Sequence, residues 1–170
     1  MRFQSTPLPG VWLIEIEPRE DQRGYFARTW CREEFARQGI VAEFTECCES
    51  FNARRGTLRG LHYQVPPHEQ SKLVRVVCGA IYDVVLDLRA DSPTFRHWFT
   101  WELSHTNQRQ LYIPHGCAHG FQTLYDDTIV LYQLTAPHHD ASFRVVRWND
   151  PAFAITWPEP PTVIHPRDTA

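Results

Sequence analysis

His62, in Arg59-Gly-Leu-His-Tyr-Gln64, and His119, in Ile113-Pro-His-Gly-Cys-Ala-His-Gly-Phe121, are the side chains on which chemistry can be built. A neutral imidazole takes a proton near neutral pH, ligates a metal, or serves as a hydrogen-bonded structural residue, and for a histidine alone in a strand all three stand open. Around His119, the Pro114-x-Gly116 pair sets a turn that hands the histidine to the segment that follows. Lys72 opens the apolar run after His62. A hairpin of Arg59–Gln64 with Lys72–Val77 would bring its ammonium to the imidazole, where a cation stabilises a developing oxyanion. Tyr132, in Val130-Leu-Tyr-Gln133, offers a phenolic proton, although its strand-face companions Val130 and Leu134 make packing the plainer reading.

Two chemistries compete. Small β-barrels hold Fe, Mn or Zn with two or three histidines and a glutamate, and such sites usually begin with His-x-His. Here that slot reads His62-x-Gln64 with Glu69 downstream, and the adjacent His138 and His139 would point to opposite faces of a strand. Ligand counting therefore weighs against a metal. Proton transfer without metal asks for a histidine to remove an acidic C–H proton next to a carbonyl. It also needs a carboxylate to fix the tautomer and a cation to receive charge on the enolate oxygen. Inversion then needs a second acid on the far face.

The elements that must position these groups read as mostly β. In Ala80–Arg89, Tyr82, Val84, Leu86 and Leu88 share one face while Ile81, Asp83, Val85 and Asp87 share the other, so two acids mark a wet interior or a solvated exterior. Further strands are expected over Val11–Ile16, Gly56–Gln64, Lys72–Val77, Trp98–Leu103, Gln110–Ile113, Gly120–Leu124 and Thr128–Thr135. Around His62, alternation puts Gly60, His62 and Gln64 on one face and Arg59, Leu61 and Tyr63 on the other. Eight or more strands imply a sandwich or jelly roll, and the Pro-x-Gly-x-x-His turn is of the cupin type. One short helix fits Cys31–Gln38, with Gly39 placed to end it. The proline-rich tail from Asp150 is expected to run extended over the barrel, with Trp148, Phe153 and Trp157 supplying apolar surface to bury.

Composition narrows the function classes. With 170 residues, 42% of them apolar, the expectation is one domain over residues 1–170, able to bury about two thirds of its unfolded surface. A net charge of −3 without a Lys/Arg cluster argues against nucleic acid, while leaving room for a local phosphate site. Cys31, Cys47, Cys48, Cys78 and Cys117 are odd in number and lack metal-ligand spacing, which favours reduced thiols and a cytoplasmic location. No signal-peptide core and no membrane-length apolar run is expected.

Several segments in order carry a resemblance: Gly56-Thr-Leu-Arg-Gly-Leu-His-Tyr-Gln64, Lys72-Leu-Val-Arg75, Asp83-Val-Val-Leu-Asp-Leu-Arg89, Ser92-Pro-Thr94, Ile113-Pro-x-Gly-x-Ala-His-Gly-Phe121 and Trp148-Asn-Asp-Pro151. Together, from Arg23-Gly-Tyr-Phe26 to Asp168, the chain resembles the dTDP-4-dehydrorhamnose 3,5-epimerase family. The resemblance implies an all-β, cupin-type jelly-roll barrel with short peripheral helices, using no metal or other cofactor. It implies a homodimer in which N-terminal strands cross to the partner. It also implies a nucleotide-linked 4-keto-6-deoxy sugar as substrate, inverted on either side of the ketone. On matching positions His62 is the general base, Asp168 its carboxylate partner, Lys72 the enolate stabiliser and Tyr132 the opposing proton donor. Arg59 and Arg23 fall where the diphosphate is contacted, His119 near the sugar or phosphate, and Phe26 on the nucleotide side across the dimer. Asp83 orients a charged neighbour. An imidazole paired with Asp168 is expected to hold its proton more tightly than a free one.

Departures qualify the substrate. Where the family commonly has Gln-x-Asn-x-Ser, this chain has Glu46-Cys-Cys48-Glu-Ser50, exchanging two amides for a carboxylate and a thiol at substrate-contacting positions. His138 stands near a usual tyrosine, and Phe143 and Arg144 stand where an acid and a glycine are usual. Inversion of one carbon rather than two, a metal-dependent cupin oxygenase or isomerase, and a nucleotide-sugar-binding protein with lost turnover are the alternatives.

Overall fold

The computed structural model describes residues 1–40 and 43–169. In chain order the elements are β1 (Arg2–Ser5), β2 (Trp12–Glu15), β3 (Arg19–Asp21), β4 (Gly24–Phe26), α1 (Arg32–Arg37), β5 (Glu46–Asn52), β6 (Thr57–Gln64), β7 (Lys72–Cys78), β8 (Ala80–Asp87), β9 (Trp98–Ser104), β10 (Arg109–Ile113), β11 (Cys117–Thr123), β12 (Thr128–Leu134), β13 (Phe143–Val145) and β14 (Val163–Ile164), closing on a 3-10 turn over Pro166–Asp168. One sheet runs β1-β2-β10-β7-β12-β5; the other runs β13-β6-β11-β8-β9, with β14 beside β6. The β3–β4 hairpin stands apart from both.

These two packed sheets are the all-β, cupin-type jelly roll that the family resemblance implies. The inner faces of both sheets meet in one cluster containing Leu13, Val74, Val76, Ile81, Val85, Leu111, Phe121 and Val130. The alternation of β8 resolves accordingly: Ile81, Asp83, Val85 and Asp87 face inward, and all four are buried. Asp87 is not wet. Its carboxylate accepts hydrogen bonds from Arg89 Nε (2.9 Å), Ser92 Oγ (2.5 Å) and Thr94 Oγ1 (2.7 Å). Burial alone would raise its pKa, and those donors outweigh burial and hold it well below the usual carboxylate range.

The outer faces are covered rather than solvated. Val84, Leu86, Leu61 and Ala118 pack under the C-terminal tail through Phe153, Ile155 and Trp157. The tail is pinned by Trp98 Nε1 donating to Phe153 O (3.0 Å) and Trp157 Nε1 to Trp148 O (2.9 Å). On the other sheet α1 places Phe35 against Ile14, Leu73 and Tyr112. Cys31 provides no side-chain cap for this helix, so the buried Phe35 face sustains six residues that would not be helical alone. Gly39, at φ +75°, ends it as expected.

Two expectations fail here. β6 does not pair with β7: it pairs with β11, β13 and β14 in the opposite sheet, so Lys72 reaches His62 across the barrel. Strict alternation also breaks in β6. Its register with β11 shifts between His119↔His62 and Phe121↔Arg59, and Arg59 joins His62 on the inner side while Leu61 packs outward. Gly60 sits at that shift with φ +111°, and a Cβ there would lie 2.6 Å from Gly120 Cα. Only glycine permits that approach.

Candidate active site

Ser50, Arg59, His62, Lys72, His119, Phe121, Tyr132 and Arg167 line a cavity of ≈ 200 Å³ between the two sheets. β6 and β11 deliver the histidines as direct register partners, β7 and β12 deliver Lys72 and Tyr132 from the facing sheet, and the terminal 3-10 turn delivers Arg167. These five separate segments thus converge on one chamber.

His62 Nε2 lies 2.7 Å from Asp168 Oδ1, and the other oxygen of that carboxylate accepts from Gly60 N–H at 3.2 Å. The carboxylate fixes the tautomer: with Nε2–H donated to Asp168, Nδ1 keeps its lone pair as a base. Burial is the largest influence on His62 and lowers its pKa. Asp168 pulls upward, and Lys72 and Arg167 add to the lowering. The net direction is down, which corrects the expectation of a tighter proton. Asp168 itself, despite a burial effect in the opposite direction, is held below the ordinary carboxylate range by His62, Gly60 and Arg167.

Lys72 Nζ donates to His62 O at 3.2 Å. Its burial lowers the ammonium pKa to about 8, with the Asp83 carboxylate opposing. Asp83 does not reach the cavity wall. It accepts from or shares a proton with His119 Nε2 at 2.7 Å, and its Oδ2 has no hydrogen-bond partner among the described residues. Asp83 therefore orients His119 and acts on Lys72 by charge. Tyr132 lies edge-on to His119 at 6.3 Å between centroids. Burial, reinforced by Asp83, pushes its phenol above the ordinary value, so it remains protonated across the neutral range. Among the described residues no three His, Cys, Asp or Glu side chains converge as metal ligands do.

The remaining expected residues distribute unevenly. Cys48 stands opposite Tyr132 in the β5–β12 ladder, and Glu46 stands opposite Leu134 at its end; neither lines the cavity. Arg59 is held by Asn52 Oδ1, which accepts from its Nε at 2.7 Å. His138 sits outside, 5.1 Å from the Phe143 ring and 2.9 Å from Asp140 Oδ1. Arg23 and Phe26 are not brought to the cavity by this chain: their hairpin leaves Arg23's side chain 89% exposed and paired with Asp21, and Phe26 76% exposed.

Ser50, Asn52, Phe143 and Arg167 were not singled out in the sequence as site residues. Period-two spacing from Cys48 carried a signal for Ser50 and Asn52, since residues two apart on β5 share its face. Phe143 showed only as a departure from the family pattern and Arg167 carried no signal, because a strand of three residues and a single turn bring them in from distant parts of the chain.

The family model described as dTDP-4-dehydrorhamnose 3,5-epimerase matches residues 5–170. The dTDP-4-dehydrorhamnose 3,5-epimerase of Sinorhizobium fredii is 43% identical over 168 residues, covering 96% of this chain and 84% of its own. A crystal structure of dTDP-4-dehydrorhamnose 3,5-epimerase from Bacillus anthracis with TDP and PPi bound superposes with a TM-score of 0.95 at 39% identity, covering 98% of this chain and 95% of that one. The dTDP-6-deoxy-D-glucose-3,5-epimerase of Legionella pneumophila, in complex with dTDP-4-keto-L-rhamnose, superposes with a TM-score of 0.92 at 35% identity, covering 98% and 89%.

Proposed function

This chain belongs to the dTDP-4-dehydrorhamnose 3,5-epimerase family, and from that premise we propose that it is an isomerase that inverts C3 and C5 of a dTDP-4-keto-6-deoxyhexose through an enolate. The observation that carries the reading is His62, tied to Asp168 at 2.7 Å, sharing one chamber with Lys72 and Tyr132. Nδ1 of His62 takes the proton from the carbon next to the C4 ketone, the C–H electron pair becomes the C=C bond of the enolate, and the carbonyl π pair moves onto oxygen. Lys72 receives that negative charge. Tyr132 O–H then delivers a proton to the opposite face of the same carbon as the enolate collapses back to the ketone. Phenolate and imidazolium exchange protons with solvent to complete the cycle, so the sugar is isomerised without net oxidation.

Arg59, fixed by Asn52, supplies a guanidinium for the diphosphate, and His119 contacts sugar or phosphate from the neighbouring strand. The exposed Arg23 and Phe26 fit a homodimer in which the β3–β4 hairpin serves the partner's nucleotide. In this reading the whole chain acts as one domain in the cytoplasm, in deoxysugar and polysaccharide biosynthesis, with no metal required.

The test is incubation with dTDP-4-keto-6-deoxyglucose in deuterated water, followed by NMR at each carbon. Deuterium at C3 and C5 with inversion is the expected result. Label at one carbon identifies a single inversion. Binding without exchange identifies a protein that has lost turnover, and activity abolished by chelation identifies the metal-dependent alternative.

A further inference from the structure

Phe143 stands where three ionisable side chains meet. Its ring lies 5.0 Å from the His62 imidazole and 5.1 Å from His138, and the Arg167 guanidinium sits 5.3 Å from its centroid. β13 sets this geometry, because Phe143 pairs with Gln64 and Val145 with His62 along the free side of β6. We propose that Phe143 is a positioning residue: it seals the β13 side of the His62 ring from water and holds Arg167 beside Asp168. The inference rests on His62 being the base and adds what sets its working pH.

Two effects of such a ring oppose one another. A π face favours a neighbouring cation and would strengthen proton binding, whereas exclusion of water weakens it. Burial dominates His62, so exclusion wins. The charged or titratable groups facing His62 are Asp168 and Arg167 from the terminal turn, Lys72 from β7, His119 from β11, Tyr132 from β12 and Arg59 from its own strand. Beyond the ring, His138 is engaged by Asp140. Replacing Phe143 removes none of these groups, so a change in His62 titration reports the loss of the seal or of the hold on Arg167, and Phe143→Leu, which keeps the plug without the π face, tells the two apart.

The experiment is an NMR titration of the His62 Cε1–H signal in the substrate-free protein, assigned with His62→Asn, for wild type, Phe143→Leu and Phe143→Gln. Leucine keeps an apolar plug and should leave the midpoint in place. Glutamine brings a polar group and water, and should raise the midpoint by about half a unit, which appears as roughly a threefold loss of kcat/KM on the acid limb. Phe143→Asn carries the same reading should the glutamine variant fail to fold. A wild-type midpoint in a folded Gln or Asn variant overturns the proposal, and a merely structural role would lower Tm without moving it. Because the titration needs no substrate, its outcome is separate from that of the deuterium experiment.

Discussion

Two imidazole–carboxylate pairs occupy the barrel, His62 with Asp168 and His119 with Asp83, each closed at 2.7 Å through Nε2. Their bonds are alike and their surroundings differ. The His119–Asp83 pair joins neighbouring strands and is sealed, with side chains 4% and 0% exposed. The His62–Asp168 pair joins a central strand to the end of the chain, and its imidazole remains 18% exposed beside the Lys72 ammonium. A carboxylate partner therefore does not by itself distinguish the two histidines; exposure to the chamber and the nearby ammonium do. The sealed pair is a wall that holds His119 and biases Lys72.

Four measurements break or sharpen that contrast. His62→Asn should abolish solvent exchange into the sugar, a loss on the order of 10³-fold, whereas His119→Asn should chiefly raise KM; equal loss of exchange in both would erase the distinction. Next in size, Asp168→Asn should cost about 10²-fold in kcat by releasing the tautomer, against about tenfold for Asp83→Asn. Tyr132→Phe should leave deuterium uptake with retention largely intact and lower inversion by about 10²-fold; equal loss of both steps would give the phenol a different role.

The smallest effect is on pH. The proposed base must be neutral, and burial holds the His62 pKa below that of an ordinary histidine, so activity should rise as pH climbs through a midpoint on the acid side of that value. Lys72 must be charged, and activity should fall as pH rises through about 8. Tyr132 stays protonated over that window. An alkaline limb near the ordinary lysine value in the kcat/KM profile would show that Lys72 is not as desolvated as its burial implies.

The parts of this arrangement visible in the sequence are the ones that local periodicity controls. β8 alternates cleanly, but its two acids lie on an inner face that is dry rather than wet or solvated. β5 was missed because Glu46-Cys-Cys-Glu-Ser-Phe-Asn52 has no β-branched residue, and its pairing with β12 is what makes it a strand. The face of Arg59 was misassigned because the register shift beside Gly60 depends on a close approach to Gly120, which no pattern within β6 announces. Asp168 is 106 positions from His62, so periodicity is silent on the contact and family likeness alone suggested it. The direction of the His62 shift was misjudged for a related reason. A partner can be guessed from likeness, but the depth at which it is buried belongs to the folded chain.

The segment that carries Asp168 is secured by a two-residue parallel strand, by the Asp168 carboxylate's own bonds to His62 and Gly60, and by a single 3-10 turn whose N-cap, His165, accepts from Arg167 N–H at 3.2 Å. So small an attachment opens at a fraction of the free energy that holds the two sheets together. Catalytic competence and foldedness are consequently separable: gentle heating should silence the enzyme while its spectroscopic signature is still that of an intact barrel, and cooling should restore it.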